Sequence, residues 1–274
     1  MKALVVGCGS IGSRRARLLR EMYGGLGLFF YDRDRDRAGE LAQKHQGIAV
    51  AGGERADYDV VLICTPPDSG RPEQIAQAFS RELRGLYVEK PLALDRSDVD
   101  EVRYLLNRVP SRLITMGACN LRFVGGVSGL RKLKRPWQLL SLTMRQHAKF
   151  WNPAHQPCSI ILDSIHELDL AEWLNGPIES IRGWSKADAA EISLHQEDGA
   201  LTHIFLDRKG DPPQRRIQIH NDYGRDYTSL DLQVDDNTYR RELQHFMNCV
   251  EAGTPTCNPL SDVVQLNLRA LEVA

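Results

Sequence analysis

The sequence predicts an α/β fold in two parts: an N-terminal doubly wound parallel sheet and a C-terminal α+β domain with a mostly antiparallel open sheet. Up to about residue 116, short apolar strand candidates alternate with helix candidates, and this alternation predicts the parallel sheet. Beyond residue 175, several long strand candidates follow one another without helices, which predicts an antiparallel sheet. We expect a first domain over residues 1–120 and a second over 121–274, with the last helices free to pack on either one.

The first half begins with residues 2–6, a nearly all-apolar run that ends at a glycine and is typical of a strand buried on both faces. Five further strands are predicted at residues 28–31, 48–50, 59–64, 86–88 and 113–116. Helices with apolar residues at helical spacing are predicted at residues 11–22, 34–44, 73–83 and 97–107.

The second half is predicted to begin with a helix over 123–134, a strand over 137–146 and an amphipathic helix over 160–174. Strands follow at 178–186, 190–196, 201–206, 215–220 and 227–234, and helices at 238–251 and 260–272 close the chain. In these strands polar residues such as Ser193 and His195 alternate with apolar ones such as Ile192 and Leu194, which predicts one buried and one open sheet face. An interface between copies on the open face would be wet and of moderate strength, and we expect a homodimer or a higher homo-oligomer.

Composition excludes several classes of function. The 274 residues carry 35 Lys and Arg against 36 Asp and Glu, so the net charge of −1 gives no basic excess for nucleic acid. No apolar run approaches the roughly 20 residues that span a bilayer, and we expect no signal peptide. The six cysteines are scattered without a C-x-x-C pair, which argues against disulfides and a metal site. We therefore expect a cytoplasmic protein without nucleic-acid or membrane partners.

A glycine-rich turn joins the first strand to the first helix. Residues 7–12, GCGSIG, have the G-x-G-x-x-G pattern. Gly7 permits a tight turn, Gly9 lets the backbone approach a pyrophosphate, and Gly12 lets the helix pack on the strand. The helix N-terminus then presents free N–H groups to phosphate. In this context the pattern predicts a dinucleotide-binding Rossmann domain, and a glycine turn in a cofactor-free α/β protein is the alternative.

An acidic residue stands where the adenosine ribose would bind. Asp32 ends the second strand about 20 residues after Gly12, and its carboxylate would accept hydrogen bonds from the ribose hydroxyls. It favours NAD over NADP because it would repel a 2′-phosphate, whereas Arg33 and Arg35 could pair with that phosphate and keep NADP open. No tyrosine has a lysine four positions later, as short-chain dehydrogenases require, and the Gly-Lys-Ser/Thr of nucleotide hydrolases is absent.

Three further segments, in order along the chain, resemble the glucose–fructose oxidoreductase / inositol dehydrogenase / MocA (Gfo/Idh/MocA) family. Cys64-Thr65-Pro66-Pro67 is similar to its loop after the fourth strand, Glu89-Lys90-Pro91 to its Glu-Lys-Pro signature, and residues 161–176 to its catalytic helix. Weaker similarities at 117–123 and 239–246 extend the resemblance over nearly the whole chain. It implies a Rossmann domain, a substrate-binding and oligomerisation domain, and reversible hydride transfer between nicotinamide and a carbon-bound hydroxyl of a sugar, cyclitol or similar compound.

The residues fit this chemistry, in which hydride leaves carbon while a base removes the hydroxyl proton. Lys90, at the C-terminal edge of a parallel strand, would bind the reacting oxygen and stabilise negative charge on it. Asp163 and His166 are three apart on one predicted helix and hence on one face. We expect His166 to be the general acid/base, because its unperturbed pKa is near neutrality, and Asp163 to orient the site and bind a substrate hydroxyl. Glu167 and Asp169 are expected to support the site by hydrogen bonds.

Cofactor contacts are expected at the strand ends: Gly7, Gly9, Ser10, Ile11, Gly12, Asp32, Arg33, Cys64, Thr65, Pro66, Glu89 and Lys90. Substrate contacts are expected at Asn120, Arg122, Trp151, Asn152 and His155. The segment before the catalytic helix is shorter than in the family and lacks its closing glycine run, which leaves the substrate open. Two alternatives remain: a dinucleotide-binding sensor or scaffold without turnover, and a biliverdin-reductase-like reductase of a non-sugar substrate.

Overall fold

The computed structural model describes residues 1–51, 57–79, 82–131, 139–145, 159–210, 212–220 and 227–274. The chain separates into two compact units, neither of which is one continuous stretch. The first contains Met1–Ala118 and Tyr239–Val264, and the second contains Cys119–Thr238 and Gln265–Ala274. Within the described ranges, no helix is long and apolar enough to cross a membrane.

The first unit is built on a six-stranded parallel sheet. Its strands are β1 (Lys2–Val6), β2 (Gly27–Tyr31), β3 (Ile48–Ala49), β4 (Val60–Ile63), β5 (Gly85–Val88) and β6 (Ile114–Gly117). The helices between them are α1 (Ser10–Met22), α2 (Arg35–Lys44), α3 (Arg71–Ala78) and α4 (Arg96–Leu106). The strand order β3-β2-β1-β4-β5-β6, with all pairs parallel, confirms the predicted doubly wound sheet. The order reverses between β1 and β4, and such sheets bind ligands beyond the carboxyl ends of the strands at that point.

The centre of this sheet explains why its strands are continuous apolar runs. Every residue of β4 and β5 is buried. Helices cover both faces of a doubly wound sheet, so a central strand has no polar face to present.

Two helices at the end of the described chain are α8 (Asp236–Ala252) and α9 (Leu260–Leu271). Most of α8 and the start of α9 belong to the first unit, a packing that the expected division at residue 120 left open. Two glycines make this packing possible: a Cβ on Gly85 would lie 2.6 Å from Val250, and one on Gly117 would lie 2.4 Å from Val263. The pairing of such distant positions cannot be read from local patterns.

The second unit contains another six-stranded sheet. Its strands are β7 (Leu139–Arg145), β8 (Ile178–Ser185), β9 (Ala189–Gln196), β10 (Leu201–Asp207), β11 (Gln214–His220) and β12 (Tyr227–Asp231). The order is β12-β11-β7-β10-β9-β8, and among the pairs that the described residues form, β7 with β10 is parallel and the others are antiparallel. Ile192 and Leu194 are fully buried, whereas Ser193 and His195 are partly exposed. The mostly antiparallel sheet with one buried and one open face is confirmed.

Two helix predictions in this unit are wrong. Where one helix was expected over 123–134, the described residues form a 3-10 turn (Asn120–Phe123) and the one-turn helix α5 (Val127–Leu130), separated by Gly126 at φ +87°. The helix expected over 160–174 is two helices, α6 (Ile160–Asp163) and α7 (Ile165–Asn175). The start of α6 is tied to the sheet region, because the Ile160 N–H donates to the carbonyl of Lys186 at 2.8 Å. This contact satisfies an N–H group that has no partner within the helix, and it fixes where α6 begins.

Candidate cofactor and active site

The glycine turn between β1 and α1 has the geometry that its pattern predicts. Gly7 has φ +93°, and a Cβ there would lie 2.9 Å from the main chain of Cys64. A Cβ on Gly12 would lie 1.9 Å from the carbonyl oxygen of Gly7, so only glycine lets the helix pack this closely. A Cβ on Gly9 would meet no described atom within 4 Å, and Gly9 is exposed. The space above Gly9 is therefore open to a ligand.

The first turn of α1 has no side-chain cap. Its N-cap is Gly9, which has no side chain to accept hydrogen bonds, and the turn contains no acidic residue. The N–H groups of this turn are thus available to phosphate oxygens. The open space and the uncapped helix start fit the pyrophosphate of a dinucleotide, which Gly9, Ser10 and Ile11 would hold.

Asp32 lies beside the glycine turn, directly after β2. Its Oδ2 accepts a hydrogen bond from the N–H of Cys8 at 2.7 Å, and its Oδ1 accepts one from the N–H of Asp34 at 2.9 Å. Each carboxylate oxygen has a further lone pair, so the same group can also accept from ribose hydroxyls. The exposed side chain of Arg33 donates to the carbonyl of Ser69 at 2.9 Å, which ties it to the loop after β4.

The two cysteines of the site are buried thiols. Burial, reinforced by the Asp32 carboxylate, raises the pKa of Cys8 to about 12. Burial raises the pKa of Cys64 above its usual range by more than that of Cys8, and the negative charge of Glu89 adds to the increase. Neither thiol ionises near neutral pH. In the loop after β4, the hydroxyl of Thr65 donates to Gln74 Oε1 at 2.6 Å.

Lys90 follows β5 at the same edge of the sheet. The N–H of Glu89 donates to the carbonyl of Ile63 at 2.9 Å, and Lys90 lies half-buried just beyond it. The Lys90–Pro91 peptide bond is cis. The carboxylate of Glu89, an expected cofactor contact, accepts from the guanidinium of Arg15. The predicted cofactor residues therefore follow the carboxyl ends of four adjacent strands, β2, β1, β4 and β5.

In the second unit, Asp163 and His166 flank the break between two helices. Asp163 is the last residue of α6, His166 is in the first turn of α7, and both are partly exposed. Asp163 Oδ2 accepts from Nη2 of Arg208 at 2.8 Å, and Nη1 of this fully buried arginine donates to the carbonyl of Ala187 at 2.6 Å. Sequence reasoning missed Arg208, because nothing in its neighbourhood marks an inward-facing charge.

The next acids of α7 are buried in ion pairs. Glu167 Oε1 lies 2.8 Å from Nε of Arg215, on β11. Asp169 accepts a bidentate pair of hydrogen bonds from Arg122, at 2.7 and 2.6 Å. Arg122, an expected substrate contact, thus has its guanidinium committed to a carboxylate that is fully buried. These pairs hold α7 in place within its unit.

Of the other expected substrate contacts, Asn120 lies among the described residues. Asn120 is 4% exposed, and its Oδ1 has no hydrogen-bond partner among the described residues. Trp151, Asn152 and His155 lie outside the described residues. Lys90 belongs to the first unit and Asn120 to the second.

The described part of the chain holds no group of three or more His, Cys, Asp or Glu side chains that could bind a metal ion.

A glycine turn, an uncapped helix start and an acid after β2, on this strand order, define a dinucleotide-binding Rossmann unit. Residues 1–115 match the family model GFO_IDH_MocA, described as an oxidoreductase family with an NAD-binding Rossmann fold. The match covers the segment that carries the glycine turn and the Glu-Lys-Pro motif, and it confirms the resemblance to the Gfo/Idh/MocA family that the motifs predicted.

Solved structures share the fold over the whole chain. UDP-N-acetylglucosamine 3-dehydrogenase GnnA from Acidithiobacillus ferrooxidans is 22% identical with a TM-score of 0.82, covering 100% of this chain and 96% of that one. A myo-inositol dehydrogenase from Corynebacterium glutamicum ATCC 13032 is 21% identical with a TM-score of 0.84 and the same coverage. GenD2 from gentamicin A biosynthesis, in complex with NAD, is 16% identical with a TM-score of 0.82, covering 100% and 93%. No curated protein matches the chain.

Proposed function

We propose that this protein is a nicotinamide-dependent oxidoreductase that transfers a hydride between the cofactor and a secondary alcohol or ketone of a sugar, cyclitol or sugar derivative. The observation that carries the proposal is the open space above Gly9 at the uncapped start of α1, with Lys90 following the carboxyl end of β5 in the same sheet. NAD, when bound, supplies the acceptor of a hydride from carbon, and NADH supplies the donor.

NAD is the proposed cofactor, with NADP as the alternative. The Asp32 carboxylate lies beside the glycine turn, where it would accept hydrogen bonds from ribose hydroxyls and repel a 2′-phosphate. The single hydrogen bond of Arg33 to the Ser69 carbonyl leaves guanidinium donors with which a 2′-phosphate could pair. Dissociation constants for NAD and NADP measured on the same preparation, with Asp32→Asn as the comparison variant, would separate the two.

Three side chains are proposed to carry the chemistry. Lys90 donates a hydrogen bond to the reacting oxygen and stabilises negative charge there. His166 takes the hydroxyl proton during oxidation and returns it during reduction. Asp163, oriented by Arg208, accepts a hydrogen bond from a substrate hydroxyl.

The substrate class is proposed from two sources. Two neighbours of the same fold are described as dehydrogenases of a nucleotide sugar and of a cyclitol. Asp163, which is held by an ion pair, and His166, nearby in sequence, suit a polyhydroxylated substrate. The hydroxyl groups of such a compound both donate and accept hydrogen bonds.

The proposal is tested with purified protein, NAD and a panel of sugars, cyclitols and sugar nucleotides, by following NADH absorbance. We expect turnover with at least one member, and its loss in Lys90→Ala with NAD binding largely kept. Binding of NAD without turnover on any compound would instead favour a sensor or scaffold. Reduction of a bilin, with no sugar turned over, would favour the biliverdin-reductase-like alternative. Full turnover in Lys90→Ala would refute the assignment of Lys90.

A further inference from the structure

Glu89, the residue before Lys90, is held at its side chain by one buried arginine and at its main chain by another. Its Oε1 accepts from Nε of Arg15 at 3.1 Å and from Nη2 of the same guanidinium at 2.9 Å. Its carbonyl oxygen accepts from Nη1 of Arg71. Arg15 is 1% exposed and Arg71 is 0% exposed. Two independent contacts therefore fix the residue that leads into Lys90.

Arg15 joins three segments that are distant in sequence. From α1 it contacts Glu89, the hydroxyl of Tyr87 on β5, and Oε2 of Glu242 on α8, the last at 2.8 Å. Its guanidinium carbon lies 4.8 Å from the centre of the Tyr87 ring and 5.0 Å from that of Tyr239. Polar groups and aromatic faces enclose the guanidinium, so it cannot turn away without breaking several contacts.

Arg71 joins the loop after β4 to the segment after β5. Its Nη2 donates to the carbonyl of Thr65 at 2.7 Å, while Nη1 donates to the carbonyl of Glu89. Burial lowers the pKa of this guanidinium to about 10, which reflects the cost of keeping a charge away from water. A role in packing alone would not need that charge. A planar fork that spans two carbonyl oxygens is what arginine adds over other side chains.

We propose that Arg15 and Arg71 are positioning residues for Lys90, and that they act through Glu89, which anchors the segment rather than contacting the cofactor. The inference rests on the proposed function, in which Lys90 contacts the reacting oxygen. A lysine side chain is long and flexible, so its ammonium reaches one position reproducibly only if its main chain starts from a fixed place. Holding both the carboxylate and the carbonyl of the preceding residue provides that fixed start.

The test uses Arg71→Lys in the full chain. This variant keeps the positive charge but replaces the rigid planar fork by one ammonium, whose donors are not held in the geometry that meets both carbonyls. Turnover, the NAD dissociation constant and the acylation rate of Lys90 by an amine-reactive reagent, read by peptide mass spectrometry, are measured together. We expect kcat to fall by about tenfold to a hundredfold and the Lys90 acylation rate to change by severalfold. The NAD dissociation constant should change by less than kcat does.

Arg20 provides a matched control on the same helix as Arg15. It also donates to main-chain carbonyls, those of His45 at 2.9 Å and Gly24 at 2.7 Å, but near the other end of α1. Arg20→Lys should lower stability without changing kcat or the acylation rate of Lys90. Equal changes of Lys90 reactivity in Arg20→Lys and Arg71→Lys would overturn the proposal, because general loosening would then explain both.

Glu89→Gln tests the same proposal if Arg71→Lys does not fold. It keeps the shape of the side chain but removes the charge that Arg15 binds, so we expect the same two changes, in kcat and in Lys90 reactivity. A folded Glu89→Gln protein with unchanged Lys90 reactivity would overturn the proposal. If the wild-type chain turned over no compound of the panel, the proposed function would fail, whereas the acylation rate would still decide whether the two arginines position Lys90.

Discussion

Asp163 and Arg208 form an ion pair at the break between α6 and α7, with 2.8 Å between Oδ2 and Nη2. The arginine side chain is fully buried and the aspartate side chain is 24% exposed. One side of the carboxylate is therefore held by the protein while another remains accessible to a ligand. Removing the aspartate charge would leave the buried guanidinium without its carboxylate, and removing the arginine would leave the carboxylate without its anchor.

We expect Arg208→Met to lower the free energy of unfolding by about 1–3 kcal/mol, because its charged hydrogen bond to Asp163 is lost while water can solvate the partly exposed carboxylate. Turnover should be lost with it, because Asp163 would no longer be oriented. Denaturant unfolding and activity measured on the same sample check this. A double-mutant cycle with Asp163→Asn should give a coupling energy of at least about 1 kcal/mol. If the stability losses of the two single variants simply added up in the double variant, the ion pair would contribute no stability.

Arg122 is predicted to stabilise the second unit through Asp169 rather than to select the substrate. Arg122→Leu should lower the free energy of unfolding by about 3–5 kcal/mol, because a fully buried carboxylate would lose its bidentate partner. KM for a turned-over compound, measured on the folded fraction, should stay close to the wild-type value. A large rise of KM at unchanged stability would instead identify Arg122 as a substrate contact.

Gly9→Ala should separate cofactor binding from folding. The new methyl group meets no described atom within 4 Å, and the backbone φ of −72° suits alanine, so the melting temperature should hardly change. The methyl group would occupy the space proposed for pyrophosphate, and the NAD dissociation constant should rise by about tenfold or more. Gly39→Ala, at another glycine whose Cβ would meet nothing, is the matched control and should leave NAD binding unchanged.

The buried carboxyl group of Glu242 should make the stability of the protein depend on pH. Burial raises its pKa to about 7, the carboxylate of Glu89 adds to the increase, and the attraction of Arg15 opposes it. The folded state then holds this proton more tightly than the unfolded state, whose value is near 4.5. The stability that the group contributes is therefore full below the unfolded pKa and is lost as pH rises through the folded pKa.

Glu242→Gln, which resembles the protonated acid, should remove this component. The unfolding free energy of the wild type, relative to that of the variant, should fall by on the order of 1–3 kcal/mol between about pH 5 and about pH 8. Chemical denaturation of both proteins across that range measures the difference. A difference that does not vary with pH would contradict the raised pKa.

The open face of the second sheet carries an aromatic surface that we expect to join copies of the chain in a homodimer or higher homo-oligomer. Trp184, 45% exposed, and Phe205, 40% exposed, both lie opposite Glu191 on neighbouring strands. Trp184→Lys should shift the protein toward monomer in analytical ultracentrifugation while leaving the fold intact, because exposed substitutions cost little stability. Tyr104→Lys, at an exposed tyrosine of the first unit, should leave the oligomeric state unchanged. Equal effects of both substitutions would exclude this face as the interface.

The sheets and the glycine turn were predictable because their signals are local. Gly7, Gly9 and Gly12 lie within one turn. Gly7 and Gly12 make the close backbone approaches that their spacing predicts, and a Cβ on Gly9 would meet no described atom within 4 Å. The alternation at Ile192 to His195 has a period of two, which assigns buried and open faces without knowledge of the neighbouring strands. The break at Ser164 was not predictable, because residues 160–174 have the apolar content of one continuous helix.

The sequence alone determined the doubly wound sheet, the cofactor turn with its acid, and the order of the segments that carry Lys90, Asp163 and His166. Which charged residues are buried, and which groups they bind, depends on how distant segments pack together. Arg15 stands among other arginines of α1 with the same local surroundings, and its partner Glu89 is 74 positions away. The strands and the glycine turn follow from residues a few positions apart. The partner of a buried charge is set by whichever distant element packs against it, and no local pattern carries that information.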